Sequence, residues 1–152
     1  METTATTVQA DKSKELSATI TLINYRLHFN GSVEGNMPVS IDYTPPLGDN
    51  LGYTSLELLL LSLSSCVGSA VLTFLRKMKK NISAFEIHSR GTRRQEHPLS
   101  FDKIYLVIDI TSPDVTSEDV IRVLKLSEET YCPVWAMLKG NVAIEVSHRI
   151  KQ

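Results

Sequence analysis

A chain of 152 residues fits one domain, leaves no room for two full ones, and can bury a core that needs no disulfide framework. Apolar residues make up 42% and charged residues 22%, which excludes wholesale disorder, collagen-like repeats and coiled coil. A formal charge of −1 gives no electrostatic reason to expect nucleic acid or a membrane surface as a partner.

Residues 1–14 are polar and Thr-rich and read as a flexible tail, followed by a single domain over 15–152. The start lacks the basic and then apolar pattern of a secretory signal, so the expected location is the cytoplasm. Ser17 to Phe29 is strand-like, with a change of phase between Leu22 and Ile23 that suggests a bulge or a change of partner face. Asn30-Gly31 reads as a turn, Met37 to Tyr43 as a short strand, and the Pro- and Gly-rich stretch from Thr44 to Tyr53 as a loop.

Thr54-Ser55 is placed to cap a long helix running to about Lys80, with Asn81 as its C-cap. Leu58 to Leu75 contains no charge and has the length of a bilayer span. Its serines, Gly68 and Thr73 lower its hydrophobicity and favour a helix fully buried in a soluble protein. Ala84 to Arg90 and Ile104 to Ile110 alternate as strands around a polar turn holding Arg93 and Arg94. Thr116 or Ser117 caps the next helix, which ends near Tyr131. Pro133 opens a short helix ended by Gly140, and Val142, Ile144 and Val146 form the last strand. The order ββ-α-ββ-αα-β, with strands in antiparallel pairs, places the fold in the α+β class.

The two cysteines are the candidate reactive groups. Cys66 has small residues one helical turn away and no cation within a turn. It is either a buried structural thiol or a nucleophile activated by a cation from another segment. Cys132 sits at the expected start of the short helix, where a thiolate is stabilised, so on local physics it is the more acidic thiol. A small core residue is the other reading of that position, and nothing in the residues pairs the two thiols. His28, His88, His97 and His148 are scattered, with no His or Cys pair at ligand spacing, and no metal is expected. Trp135 reads as a core or interface anchor.

The run from Leu56 to Cys66, LELLLLSLSSC, resembles the Cys-bearing helix of the OsmC-like, or organic hydroperoxide resistance, family. The run Glu129-Thr130-Tyr131-Cys132-Pro133-Val134 resembles that family's second cysteine motif. The resemblance implies an intertwined homodimer in which long central helices are wrapped by antiparallel sheets. It implies a thiol peroxidase: Cys66 attacks a hydroperoxide, Cys132 resolves the sulfenic acid as a disulfide, and an external dithiol reopens it, with no cofactor. It also implies an activating arginine from the N-terminal strands, for which Arg26 is the candidate, held by a glutamate at the helix start. The best-known hydroperoxidases carry that glutamate ten residues before the first cysteine, where this chain has Leu56. Glu57 is nine before, about 900° of helical rotation, and so starts on the face opposite Cys66.

Two functions follow as expectations. One is a peroxidase for organic hydroperoxides, its site made greasy by Leu59, Leu63 and Val67, with hydrogen peroxide a poorer substrate. The other is a catalytically weak stress-response dimer that holds a small apolar ligand.

Overall fold

The computed structural model describes residues 11–152. The tail expected over 1–14 therefore lies, up to residue 10, outside the described residues. The chain divides into two compact units, one ending at Glu57 and the other spanning Leu58–Gln152.

The first unit carries an antiparallel sheet in the order β1 (Thr19–Leu22), β2 (Phe29–Ser32), β3 (Val39–Ile41). The expected single strand from Ser17 to Phe29 is thus two strands joined by a turn, which explains the change of phase after Leu22. Asn24 builds that turn: its Oδ1 accepts the backbone N–H groups of Arg26 and His28 at 2.9 and 3.0 Å. Asn30-Gly31 is correspondingly not a turn; both residues lie within β2, paired with Thr21 and Ile20. The loop that follows is organised by the buried Asp42, whose carboxylate accepts N–H bonds from Tyr43, Asp49 and Leu51. Burial pushes its pKa up, but these donors outweigh it and hold the carboxyl below its ordinary range.

Helix α1 (Ser55–Lys77) begins in the first unit and becomes the opening element of the second. It ends at Lys77, before the Lys80 that the sequence suggested. Lys79 adopts a left-handed conformation (φ 60°), the Lys79 N–H bonds to the Arg76 carbonyl and the Lys80 N–H to the Leu75 carbonyl. That is a Schellman stop with lysine in the position glycine usually takes. Asn81 is not the cap; its N–H and side-chain amide donate to Asp114 at 2.9 and 2.8 Å.

The second unit's sheet has the order β4 (Ala84–Arg93), β5 (Phe101–Thr111), β6 (Ala143–Lys151). The β4–β5 pair is an antiparallel hairpin, but β5 and β6 run parallel, against the expectation of antiparallel pairs throughout. The connection between them is long enough for a crossover. It comprises α2 (Ser117–Leu126), a π-helical turn (Ser127–Tyr131) and α3 (Pro133–Leu138). Thr116 and Asp119 close a capping box at the start of α2. Ile104, Leu106, Ile108 and Ile110 on central β5 are buried, with Leu63, Val67, Val71 and Leu75 of α1. A Cβ on Gly68 would lie 3.2 Å from both Phe85 and Ile87, so glycine is what lets α1 approach β4 this closely.

The helix is not buried all round, as its composition suggested. Leu63, Val67, Gly68, Val71 and Leu75 form one covered stripe, while Leu61 remains 51% exposed. At 23 residues α1 is long and apolar enough to cross a membrane.

Candidate functional site

Cys66 lies on α1 at the edge of the covered stripe and is partly exposed; Cys132 is buried. Their sulfurs are 2.6 Å apart, with the Cys132 thiol donating to Cys66 Sγ. The pairing that local spacing left open is therefore made by the tertiary structure. Both residues are free thiols, and their sulfurs are close enough to form a disulfide with little movement of either element.

Cys132 is fixed from both sides. Its backbone N–H closes the π-helical turn on the Ser127 carbonyl at 2.9 Å. Its sulfur caps α3 by accepting the Trp135 N–H at 3.4 Å. The helix start does not make it the acidic thiol. Burial, reinforced by the neighbouring Cys66 sulfur, pushes the Cys132 thiol from 9.0 up to about 11, and the Trp135 N–H only partly opposes this. A six-residue helix supplies too little field to offset the loss of water around the sulfur. At neutral pH Cys132 is thus held protonated.

The other two expected site residues are engaged elsewhere. Arg26 forms an ion pair with Asp49 and donates to the Pro46 carbonyl, both within the first unit. Glu57 accepts the Thr54 N–H and hydroxyl at 3.2 and 2.7 Å, and its own N–H donates to Thr54 Oγ1 at 3.3 Å. This capping box starts α1, and the expected Arg26–Glu57 pair is not formed.

A groove of about 430 Å³ opens from Cys66 along α1, lined in part by Ala70, Thr73, Phe74, Lys77 and Tyr131. Phe74 and Tyr131 pack with ring centroids 4.7 Å apart and form its aromatic wall. The apolar lining does not come from Leu63 and Val67, which are fully buried in the core. Tyr131 escaped notice because the π-helical turn, which the sequence does not announce, sets its direction. Lys77, eleven residues further along the helix, returns to within about 20° of the Cys66 face.

Away from the thiols, Glu86, His88 and Asp109 bring ligand atoms within 4.8 Å of one another across β4 and β5. Linear spacing does not reveal such a cross-strand cluster. Both Asp109 oxygens are taken by Arg149 of β6, at 2.6 and 2.7 Å.

A paired-thiol site between a long helix and a π-helical turn, on an α+β frame, defines the class. The OsmC-like protein family profile matches residues 48–147, and the chain belongs to that family. It is 30% identical over 95 residues to Protein YhfA of Escherichia coli K12, covering 62% of this chain and 71% of that one. The fold resembles that of a hypothetical protein from Aquifex aeolicus VF5 (TM-score 0.79, 25% identity, 91% of this chain and 97% of that one). It also resembles that of an organic hydroperoxide resistance protein from Legionella pneumophila (TM-score 0.66, 15% identity, 91% and 98%).

The raised Cys132 value carries a pH signature. A thiol protonated more firmly when folded stabilises the protein fully below its unfolded value. That stability falls as pH rises from about 9 through about 11. In reducing buffer this loss should be seen in the wild type and be absent in Cys132→Ser, as read by urea denaturation at a series of pH values. Equal pH profiles for the two proteins would contradict the burial argument.

Proposed function

We propose that the protein is a thiol-dependent peroxidase for organic hydroperoxides. The observation that carries this reading is the sulfur pair: a partly exposed Cys66 that accepts a hydrogen bond, 2.6 Å from a buried, protonated Cys132. Cys66 thiolate attacks the outer peroxide oxygen and the O–O bond breaks, giving Cys66 sulfenic acid and an alkoxide that takes up a proton and leaves as alcohol. The Cys132 sulfur, after giving up its proton, displaces hydroxide from the sulfenic sulfur; disulfide and water result. An external dithiol then reduces the disulfide to two thiols and is itself oxidised to its disulfide. The resemblance of fold to an organic hydroperoxide resistance protein supports the reading, as does an apolar groove beside the attacking sulfur.

The two cysteines have separable duties. Cys66→Ser should consume no peroxide, whereas Cys132→Ser should reduce about one equivalent and then stall, with Cys66 held as sulfenic or sulfinic acid by mass spectrometry. A sulfenic adduct on Cys132 in Cys66→Ser, formed at the wild-type rate, would reverse the roles.

Arg26 is the cation the family pattern assigns to the thiolate, with Glu57 as its support. To act, Arg26 must exchange Asp49 for the site, and Glu57 must exchange its cap for Arg26. Arg26→Ala should then slow tert-butyl hydroperoxide consumption by more than about tenfold, the scale of a lost transition-state charge contact. An unchanged rate would remove Arg26 from the mechanism.

The assembly proposed is a homodimer in the cytoplasm. Leu61 lies about 140° round α1 from Cys66 and stands open. On the first unit's strands and turns Ile20, Leu22, Ile23, Tyr25 and Met37 are each at least half exposed. Apolar surface on this scale is characteristic of an interface. Light scattering at micromolar concentration should give twice the chain mass of 17.0 kDa; a monomer would overturn the dimer. The weaker alternative, a ligand-holding dimer without fast turnover, is favoured by one observation only, that Arg26 and Glu57 are occupied elsewhere.

A further inference from the structure

The face of the second unit's sheet that points away from α1 carries a row of charges. Phe85 and Ile87 approach Gly68 of α1, so by strand alternation Glu86 and His88 point the other way. Glu86 of β4 stands in register with Asp109 of β5, and Asp109 with Arg149 of β6. Two carboxylates directly opposite one another destabilise a sheet, so this pair calls for a cation. Arg149 serves Asp109: its Nε donates to Oδ1 at 2.6 Å and its Nη2 to Oδ2 at 2.7 Å. Among the described residues Glu86 forms an ion pair with His88 alone, and that ring is charged only when protonated.

The three side chains converge with the dimensions of a metal site. His88 Nε2 lies 3.4 Å from Glu86 Oε2 and 3.3 Å from Asp109 Oδ2. Nitrogen and oxygen ligands bound to a tetrahedral zinc ion stand about 3.3–3.4 Å from one another. Two of the three edges therefore have the length that such an ion requires. The third, between the two carboxylates, is no longer than 4.8 Å. A small rotation of Glu86 closes it, and that side chain is 69% exposed. A single Nε2–H can be aimed at only one of the two oxygens, whereas an ion at the centre satisfies all three groups. Arg149 occupies one lone pair on each Asp109 oxygen and leaves a second on Oδ2. A ligating carboxylate held from behind by a hydrogen bond is the usual support of a metal site.

We propose that Glu86, His88 and Asp109 form a binding site for a divalent first-row transition ion of the zinc type, with Arg149 as the positioning residue for Asp109. One imidazole and two carboxylates suit zinc, with water completing the four ligands from the solvent side. Calcium and magnesium require six or more oxygen ligands and are poorly matched. The ion ties β4 to β5 on the outer face and is independent of the reaction proposed at Cys66.

The thiol pair would compete for zinc, so the measurement is made in Cys66→Ser/Cys132→Ser. Isothermal titration calorimetry should show one zinc ion bound per chain. Adding His88→Ala or Glu86→Gln to that protein should each weaken binding by about tenfold or more, at least the loss that follows removal of a supporting partner. Amide resonances of Glu86, His88 and Asp109 should shift on zinc addition. Zinc should also raise the thermal midpoint of the parent and leave that of the His88→Ala protein unchanged. No uptake at millimolar zinc, or uptake that His88→Ala leaves intact, would overturn the site. Loss in His88→Ala with no effect of Glu86→Gln would reveal a lone surface histidine and overturn the three-ligand site as well.

Discussion

The contact between the Cys132 thiol and Cys66 Sγ depends on how the chain leaves α2. Residues Ser127 to Tyr131 wind as a π-helical turn, closed by the Cys132 N–H on the Ser127 carbonyl. The wider turn changes the phase of the chain between α2 and α3. Tyr131 is thereby brought to Phe74, and Cys132 is placed in the core at the head of α3. Widened turns of this kind are concentrated at functional sites, where they re-aim side chains that a regular helix would point elsewhere.

Burial then divides the labour of two chemically identical groups. Cys132 has lost nearly all contact with water, and its thiol is raised because nothing in the core compensates a thiolate as well as solvent does. Cys66, on a partly open helix face, keeps access to the groove and receives the Cys132 hydrogen bond. A buried thiol that waits protonated beside an accessible one suits the proposed cycle, in which reaction with peroxide precedes closure of a disulfide.

The same helix carries a second constraint. One stripe of α1 covers the β-sheet through Leu63, Val67, Val71 and Leu75, with Gly68 allowing close approach at Phe85 and Ile87. The Cys66 face lines a groove, and Leu61 on another face is left open. A helix apolar on nearly every side is thus put to more than one use by the fold, so the absence of charge from Leu58 to Leu75 does not reduce to core packing alone.

The sequence by itself determined the α+β class, the long helix, the hairpin, the two capped elements after it, and the family through the two cysteine motifs. These are written locally: alternation in Ile104 to Ile110, Thr116 ahead of Glu118 and Asp119, and proline after Cys132. It misjudged what depends on distant neighbours. Asn30-Gly31 has the composition of a turn but pairs within a strand, and the last strand joins β5 in parallel because the crossover between them is long enough. The acidity of Cys132 was misjudged as well. A helix start can be read from Pro133, but the desolvation of Cys132 depends on the packing around its sulfur. Only the tertiary structure decided that the sulfurs meet. That fact concerns a distance between segments far apart in the chain, and local propensity carries no information about such distances.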